Sequence, residues 1–138
     1  MEMSLVLIKP DAVKRGLSGT IISRLEKQGL NLVALRMLHM NKELAQRHYA
    51  VHRKKPFFTS LVKYITSGPI IAAIFECDGA IELIRQTMGA TDPAKAATET
   101  IRADFGLDVE RNSTHASDST DTAKTEMKLF FRDAEIFS

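Results

Sequence analysis

The pattern of apolar and polar positions divides the chain into alternating strands and helices. Segments that read as β-strands occur at residues 4–8, 30–40, 69–77 and 107–110, and the first and third are nearly continuous apolar runs. Apolar residues at helical spacing predict helices over residues 18–28, 42–51, 57–65, 79–88, 98–105 and 120–131. The resulting order, β-α-β-α-α-β-α-α-β-α, favours an α+β ferredoxin-like sandwich. In that fold a four-stranded antiparallel sheet is covered by helices on one face.

The bulk properties of the chain fit a single folded domain over residues 1–138. Hydrophobic residues make up 44% and charged residues 26%, as in ordinary globular proteins with a core of their own. The net charge of +2 does not indicate a polybasic surface for nucleic acid or membranes, and no apolar run reaches membrane-spanning length. Cys77 is the only cysteine, so no internal disulfide exists and a reducing, cytoplasmic setting is the simplest inference.

Residues 112–119, Asn-Ser-Thr-His-Ala-Ser-Asp-Ser, carry the first candidate chemistry. They predict a turn at a helix N-terminus, where free N–H groups and the helix dipole favour anions. A neutral His115 imidazole there can attack an electrophile if an acceptor holds its other nitrogen, and Glu126, on the apolar face of the last helix, could be that acceptor. The alternatives are a structural histidine beside ordinary capping residues and a peripheral glutamate.

Two arginines indicate where phosphates could bind. Arg85 and Arg102 occupy equivalent inward positions on two predicted helices that flank a loop containing Thr91, an arrangement that suits a di- or triphosphate. Salt bridges with acids such as Glu82 or Asp104 would explain both arginines equally well. The motifs G-x-x-x-x-G-K-[ST] and G-x-G-x-x-G are absent, so a nucleotide would have to be held by arginines, a lysine and helix ends.

Lys9 is the candidate lysine, because it ends the first strand in phase with Leu5 and Leu7. Its ammonium either approaches a substrate or is solvated at the rim of the sheet. Phe57 and Phe58 adjoin on a predicted helix and cannot point the same way. One of them is therefore expected to be exposed, where an aromatic ring could stack on a nucleobase.

His48 and His52 lie four apart on a predicted helix, as metal-binding pairs do. The zinc-protease pattern needs a glutamate directly after the first histidine, and that position is Tyr49. No cluster of cysteine or carboxylate ligands accompanies the pair. We therefore predict no protein-held metal at these histidines.

Seven segments, in this order and spacing, resemble the nucleoside diphosphate kinase family along nearly the whole chain. They are Ile8-Lys9-Pro10-Asp11-Ala12-Val13, His48-Tyr49, Pro56-Phe57-Phe58, Ser67-Gly68-Pro69, Gly89-Ala90-Thr91-Asp92-Pro93, Thr100-Ile101-Arg102-Ala103-Asp104-Phe105 and Arg111-Asn112 through Ser119. The resemblance implies a ferredoxin-like fold and transfer of the terminal phosphate of a nucleoside triphosphate, typically ATP, to a nucleoside diphosphate. It implies a ping-pong mechanism through a phosphohistidine, with Mg²⁺ carried on the nucleotide, and a homo-oligomer built from dimers, a tetramer or a hexamer.

The resemblance also implies roles for individual residues. His115 matches the phosphorylated histidine, Glu126 the glutamate that orients it and Ser117 the serine beside it. Lys9 and Asn112 match groups that contact the ribose hydroxyls and the transferring phosphate. The remaining matches are Phe57, which stacks on the base, Val109 as its neighbour, and the phosphate-binding set Tyr49, His52, Arg85, Thr91 and Arg102.

The chain departs from the family pattern in two places. Ala116 follows the active histidine where the family usually has glycine, which would cost energy if that residue needs a positive φ; we expect activity to survive the change. Thr98-Glu99 replaces the usual Pro-Gly pair before the Thr-Ile-Arg segment, in a loop that bears on assembly.

Two other functions are compatible with this fold: a nucleotide-binding regulator with weak catalysis and an RNA-binding ferredoxin-like domain. The retained candidate residues, His115, Lys9, Arg85, Arg102, Asn112 and Glu126, argue against the first. The missing aromatic RNA-binding signature and the near-neutral charge argue against the second.

Overall fold

The sheet at the centre of the molecule has four strands, and the computed structural model describes all residues 1–138. The strands are β1 (Glu2–Ile8), β2 (Asn31–Leu38), β3 (Ile70–Cys77) and β4 (Thr114–Ala116). Their spatial order is β2-β3-β1-β4, and every neighbouring pair is antiparallel. This is the ferredoxin-like arrangement that the sequence predicts.

Seven helices connect and cover the strands. They are α1 (Pro10–Lys14), α2 (Ser18–Lys27), α3 (Lys42–His48), α4 (Phe58–Ile65), α5 (Ala80–Met88), α6 (Ile101–Phe105) and α7 (Thr120–Phe130). Short 3₁₀ turns occur at Ala50–His52, Pro93–Lys95 and Asp133–Glu135. None of the helices is both long enough and apolar enough to cross a membrane.

The helices lie on both faces of the sheet, whereas the sequence analysis expected them on one. Leu5 and Leu7 of β1 pack into a core cluster with side chains of α3, α4 and α7. Val6 and Ile8 point the opposite way, into a second cluster with α1, α2, α5 and α6. A strand that is buried on both faces reads as a continuous apolar run, which is why residues 4–8 show so little alternation.

Side-chain caps determine where three of the helices begin. Asn41, Thr100 and Ser119 each accept a hydrogen bond from the backbone N–H three residues later, at the starts of α3, α6 and α7. Because Thr100 is the cap of α6, that helix begins at Ile101 rather than at residue 98, as the apolar spacing predicted.

The strand predicted at residues 107–110 is wrong, and β4 lies further along the chain. The Asp108 carboxylate accepts hydrogen bonds from the backbone N–H groups of Glu110 (3.0 Å) and Arg111 (2.7 Å), which folds the segment into a turn. Leu107 and Val109, the two apolar residues of that segment, are more than half exposed and pack in neither core cluster.

Two residues other than glycine adopt a left-handed backbone conformation. They are Glu99, with φ of 73°, and Ser113, with φ of 71°. Glu99 stands where the resemblance places a glycine, so the exchange puts a Cβ atom at a strained position in the loop before α6. Its side chain is exposed, and its carbonyl accepts a hydrogen bond from Arg24 Nη1 (3.5 Å) that any residue would preserve.

We expect Glu99→Gly to raise the free energy of unfolding by roughly 0.5–1 kcal/mol. Removing the left-handed strain of a Cβ atom contributes about 1–2 kcal/mol, and the greater flexibility of glycine in the unfolded chain offsets about 0.5–1 kcal/mol of it. Urea denaturation of both proteins measures the difference. Glu99→Ala keeps the Cβ atom and is the matched control, with no comparable gain; a Glu99→Gly protein no more stable than wild type would contradict the assignment of strain.

Candidate active site

His115 lies on the edge strand β4, opposite Leu7 of β1. The sequence analysis placed it in a turn at the N-terminus of the last helix, but α7 begins only at Thr120, with Ser119 as its cap. Strand pairing with β1 therefore positions the histidine backbone, and the ring is one-quarter exposed. Such a backbone is more rigid than a loop, so the position of the ring is well defined.

Glu126, on α7, fixes the orientation of the His115 ring through the ring atom Nε2. Its Oε2 lies 2.9 Å from His115 Nε2, and its Oε1 accepts a hydrogen bond from the Ser117 hydroxyl at 2.5 Å. Because a carboxylate accepts, Nε2 of a neutral ring carries the proton. Nδ1 then keeps its lone pair; it makes no hydrogen bond within the chain and is not buried.

The Glu126 carboxyl remains ionised although its side chain is almost fully buried. Burial raises the pKa of this carboxyl, but the hydrogen bond and charge of His115, the charge of His48 and the Ser117 hydroxyl lower it by more. The pKa of Glu126 therefore lies below its ordinary value. An ionised acceptor is what stabilises positive charge on an imidazole that is forming a bond at its other nitrogen.

Lys9 is buried rather than solvated at the rim of the sheet. Its Nζ donates hydrogen bonds to Asn112 Oδ1 (2.8 Å) and to the Glu110 carbonyl (3.3 Å). Asn112 in turn donates to the Thr91 carbonyl (2.9 Å), so three separate chain segments meet at this point. Burial and the nearby charge of Arg102 lower the pKa of Lys9 to about 8.

The backbone before β4 is held in its strained conformation by Asp11 of α1. The Asp11 Oδ2 atom accepts a hydrogen bond from the Ser113 N–H (3.1 Å), and the Tyr64 hydroxyl donates to Oδ1. The Ser113 carbonyl accepts from the Lys9 N–H at 2.9 Å. These contacts fix the direction in which the chain enters β4, and hence the place of His115, two residues later.

Arg85 and Arg102 both line the same cleft, and neither forms a salt bridge. Arg102 donates hydrogen bonds to the carbonyls of Gly89 (3.0 Å) and Thr114 (2.9 Å). Asp104 pairs with Arg24 instead, which removes that acid as an explanation of Arg102. The expectation that Arg85 faces inward is wrong: it is exposed at the cleft, without a hydrogen-bond partner.

Aromatic and apolar side chains form the outer part of the cleft. Phe57, which precedes α4, is 44% exposed, while Phe58, the first residue of α4, packs against the core; one of the two adjacent phenylalanines is therefore exposed, as expected. The His52 ring lies 5.4 Å from the Phe57 ring, and Val109 is 58% exposed across the cleft. Tyr49 is buried at the inner end of this wall, and burial raises the pKa of its hydroxyl.

The cleft has a volume of about 820 Å³ and brings together all the predicted site residues except Ser117. Those that line it are Lys9, Tyr49, His52, Phe57, Arg85, Thr91, Arg102, Val109, Asn112, His115 and Glu126. Ser117 is fully buried behind the cleft and reaches it only through Glu126. The cleft is also lined by Glu110, Asp118 and Thr122, which were not predicted. In the sequence, nothing distinguishes these three from ordinary loop and helix residues.

His48 packs against His115 instead of forming a pair with His52. The ring centroids of His48 and His115 are 4.6 Å apart, edge to face, and Tyr49 and Phe130 close two other sides. Burial, with the nearby charge of His115, lowers the pKa of His48 to about 3, so its ring is uncharged at neutral pH. This contact is not evident from the sequence, in which the four-residue spacing indicated a pair with His52 instead.

Ala116 does not have a positive φ; it continues β4, opposite Val6. The strain considered for alanine at this position is therefore absent. Its side chain is nearly buried in the second core cluster, beside the cleft.

This chain is similar to known proteins over nearly its full length. The family model described as Nucleoside diphosphate kinase matches residues 2–136. A nucleoside diphosphate kinase of Dehalococcoides mccartyi is 57% identical over 136 residues, covering 99% of this chain and 96% of that protein. One from Archaeoglobus fulgidus is 56% identical, covering 99% of this chain and 90% of that protein.

Solved structures give the same result. The nucleoside diphosphate kinase of Aquifex aeolicus superposes with a TM-score of 0.95 at 40% identity, covering 98% of each chain. That of Halobacterium salinarum, in complex with CDP, superposes with a TM-score of 0.96 at 46% identity, covering 99% of this chain and 91% of that one. By sequence over nearly its full length and by fold, this chain belongs to the nucleoside diphosphate kinase family.

Proposed function

We propose that this chain transfers the terminal phosphate of a nucleoside triphosphate, typically ATP, to a nucleoside diphosphate through a phosphohistidine on His115. The observation that carries the proposal is the state of the His115 ring. Glu126 occupies its Nε2, while Nδ1 has no partner in the chain and remains accessible. A nucleophile held in this way needs no rearrangement before it reacts.

The proposed reaction has two half-reactions, phosphorylation of His115 and transfer of the phosphate from it. The Nδ1 lone pair forms a bond to the terminal phosphorus, the bond from that phosphorus to the bridging oxygen breaks, and its electron pair leaves with the nucleoside diphosphate. A second diphosphate then enters, its terminal oxygen attacks the phosphohistidine, and the N–P bond breaks to restore the lone pair on Nδ1. The Nε2–H···Glu126 hydrogen bond stabilises the positive charge on the ring while the N–P bond exists.

Cations from separate segments offset the negative charge of the phosphates. We assign this role to Lys9, Arg85 and Arg102, because they line the same cleft as His115 and none forms a salt bridge. Tyr49, His52, Thr91 and Asn112 complete the proposed contacts to phosphates and ribose.

We infer that Mg²⁺ enters with the nucleotide. The one group of three converging histidine or carboxylate ligands in the chain is His48, His115 and Glu126, and imidazole nitrogens do not suit Mg²⁺. Phosphate oxygens would supply most of its ligands, and the ion would neutralise charge on the transferring group.

Broad nucleotide specificity follows from the proposed base site. Phe57 and Val109 present an exposed ring and an exposed aliphatic side chain, and every nucleobase has a face that can lie between them. Ribose and phosphates are common to all the substrates, so the remaining contacts do not distinguish one nucleotide from another.

We further propose that residues 1–138 act as one domain within a cytoplasmic homo-oligomer built from dimers, a tetramer or a hexamer. The two core clusters share the single sheet, which supports one domain. Leu35 and Met37 are 51% and 60% exposed on β2, an open edge strand, and this is the surface that a second copy would cover. The cytoplasmic location rests on the lone cysteine and stays a prediction.

Labelling with γ-³²P-ATP and Mg²⁺ tests the phosphohistidine directly. We expect an acid-labile, base-stable label on the wild-type protein, which nucleoside diphosphate removes as labelled triphosphate. His115→Gln is expected to abolish the label, whereas the control His39→Gln, whose histidine hydrogen-bonds Thr66 far from the cleft, retains it. An unlabelled wild-type protein would support instead a nucleotide-binding regulator with weak catalysis.

The pKa of Lys9 predicts the alkaline limb of the pH profile. Lys9 is protonated below about pH 8 and loses its charge as pH rises through that value, so kcat/KM for ATP is expected to fall there. In Lys9→Arg the charge persists to much higher pH, and the limb should move upward even if the absolute rate is low. Lys124→Arg, an exposed lysine on α7, is the control with an unchanged profile. An identical limb in Lys9→Arg would show that another group titrates.

Sedimentation of a Leu35→Lys/Met37→Lys double variant tests the proposed assembly surface. Two charges on β2 should oppose association, and the complex is expected to sediment as smaller species than wild type. Val51→Lys changes a side chain that is 85% exposed at the cleft and should leave the assembly intact. A wild-type protein that sediments as a monomer would contradict the oligomer.

A further inference from the structure

We propose that His48, His115 and Glu126 form a binding site for a zinc-like divalent ion, and that occupation of this site switches off the nucleophile. The three side chains come from α3, β4 and α7 and meet on the side of the His115 ring that faces away from its accessible nitrogen. Neither the proposed transfer reaction nor the Mg²⁺ on the nucleotide uses such a site.

The distances among the ligand atoms suit a small four-coordinate ion. Glu126 Oε2 lies 2.9 Å from His115 Nε2 and 3.6 Å from His48 Nδ1, and the three ligand atoms lie within 4.8 Å of one another. Ligands of tetrahedral Zn²⁺ at bond lengths of about 2.0–2.1 Å are separated by roughly 3.3 Å. Modest side-chain movements would therefore bring all three atoms into coordination.

His48 supplies the independent observation that points to a ligand. Its side chain is fully buried, yet neither ring nitrogen has a hydrogen-bond partner. Buried polar groups in proteins are almost always satisfied, because an unpartnered one is destabilising. Its Nδ1 lies 3.6 Å from Glu126 Oε2, another of the proposed ligand atoms, and a metal ion bound to both would satisfy that nitrogen.

The donor set selects the kind of ion. Two imidazoles and one carboxylate are the ligands of many zinc sites, whereas Mg²⁺ requires oxygen donors. The uncharged His48 ring is already in the form that binds a metal. Glu126 supplies only one negative charge, and the nearby Lys9 ammonium adds positive charge, so we expect micromolar affinity rather than the tight binding of a structural zinc site.

Metal binding disables the nucleophile by moving one proton. In the free site the neutral His115 ring carries its proton on Nε2 and its lone pair on Nδ1. When the ion takes Nε2, that proton leaves, and solvent protonates Nδ1 to restore a neutral ring, with no net release. The nitrogen that faces the nucleotide is then an N–H donor without a lone pair and cannot form a bond to phosphorus.

Titration of the full-length, metal-free protein with Co²⁺ tests the site without any nucleotide. Four-coordinate Co²⁺ with histidine ligands absorbs visible light far more strongly than the hexa-aquo ion, and Zn²⁺ should displace it. We expect saturation at one Co²⁺ per chain in the micromolar range, undiminished by millimolar Mg²⁺. Because this readout needs no catalysis, it can succeed even where the proposed function fails.

His48→Phe removes the ligand while retaining an aromatic ring among His115, Tyr49 and Phe130. We expect the Co²⁺ dissociation constant to rise roughly 100-fold or more. His48→Gln, with a smaller polar side chain, provides a second test should the phenylalanine disturb folding. His39→Gln removes a histidine outside the site, and its binding should equal that of wild type. Unchanged affinity in both His48 variants, or no saturable Co²⁺ binding by wild type, would overturn the proposal.

The inhibitory effect rests on the proposed function and is measured separately. Zn²⁺ added with Mg²⁺-ATP is expected to reduce the histidine label of wild type and His39→Gln several-fold, and a chelator should restore it. In His48→Phe the ratio of label with and without Zn²⁺ should stay near one. Zn²⁺ binds ATP equally in all three reactions, so the difference reports the protein site; equal inhibition of all three proteins would overturn the switch.

Discussion

The hydrogen bonds that converge on the Glu126 carboxylate are the interaction on which the proposed chemistry depends. One oxygen accepts from Ser117 and the other from His115, so the helix α7 and the strand β4 are joined behind the reacting ring. A single carboxylate thereby selects the tautomer of His115, fixes the plane of its ring and supplies the charge that balances its cationic form. If either hydrogen bond were lost, the orientation of the His115 ring would no longer be fixed.

That arrangement is built on a backbone under strain. Ser113 has a left-handed conformation that costs a residue with a Cβ atom about 1–2 kcal/mol, and Asp11 and Lys9 hold it through their contacts with its N–H and carbonyl. The same short segment carries Asn112, which receives the hydrogen bond of the buried Lys9 side chain. The proposed phosphate-binding cation, Lys9, and the proposed nucleophile, His115, are thus positioned by one turn of chain, and a change in that turn would displace both.

The sequence predicted strands best where their residues are fully buried. It predicted them worst where a strand is defined only by its backbone pairing. The strands β1 and β3 are apolar runs enclosed by helices on both sides, and their prediction was accurate to within a few residues. The strand β4 was missed because Thr114, His115 and Ala116 have no apolar pattern and pair with β1 through the backbone. The order of strands and helices along the chain does not determine which face of the sheet each connecting helix covers. The helices on the second face were therefore not predicted.

The candidate site could be identified largely from motifs, but its interior could not. The family resemblance indicated a set of site residues, of which all but Ser117 line one cleft, and the structure explains Ser117 by its hydrogen bond to Glu126. Helical spacing predicted that Arg85 faces inward, whereas it is exposed, because a residue at the edge of an apolar stripe can extend to solvent from the helix surface. The contact of His48 with His115 depends on three elements meeting in space, and no local pattern encodes it.

The pairing of both Glu126 oxygens has a consequence for the lifetime of the intermediate. In the proposed mechanism, the phosphorylated His115 ring lies in an open cleft between the departure of one nucleotide and the arrival of the next, and water is the competing acceptor. The carboxylate closest to that ring is fully engaged and lies on its far side, so it cannot take a proton from an incoming water molecule. In the proposed mechanism, Glu126 therefore does not accelerate hydrolysis of the phosphohistidine before the next nucleoside diphosphate arrives.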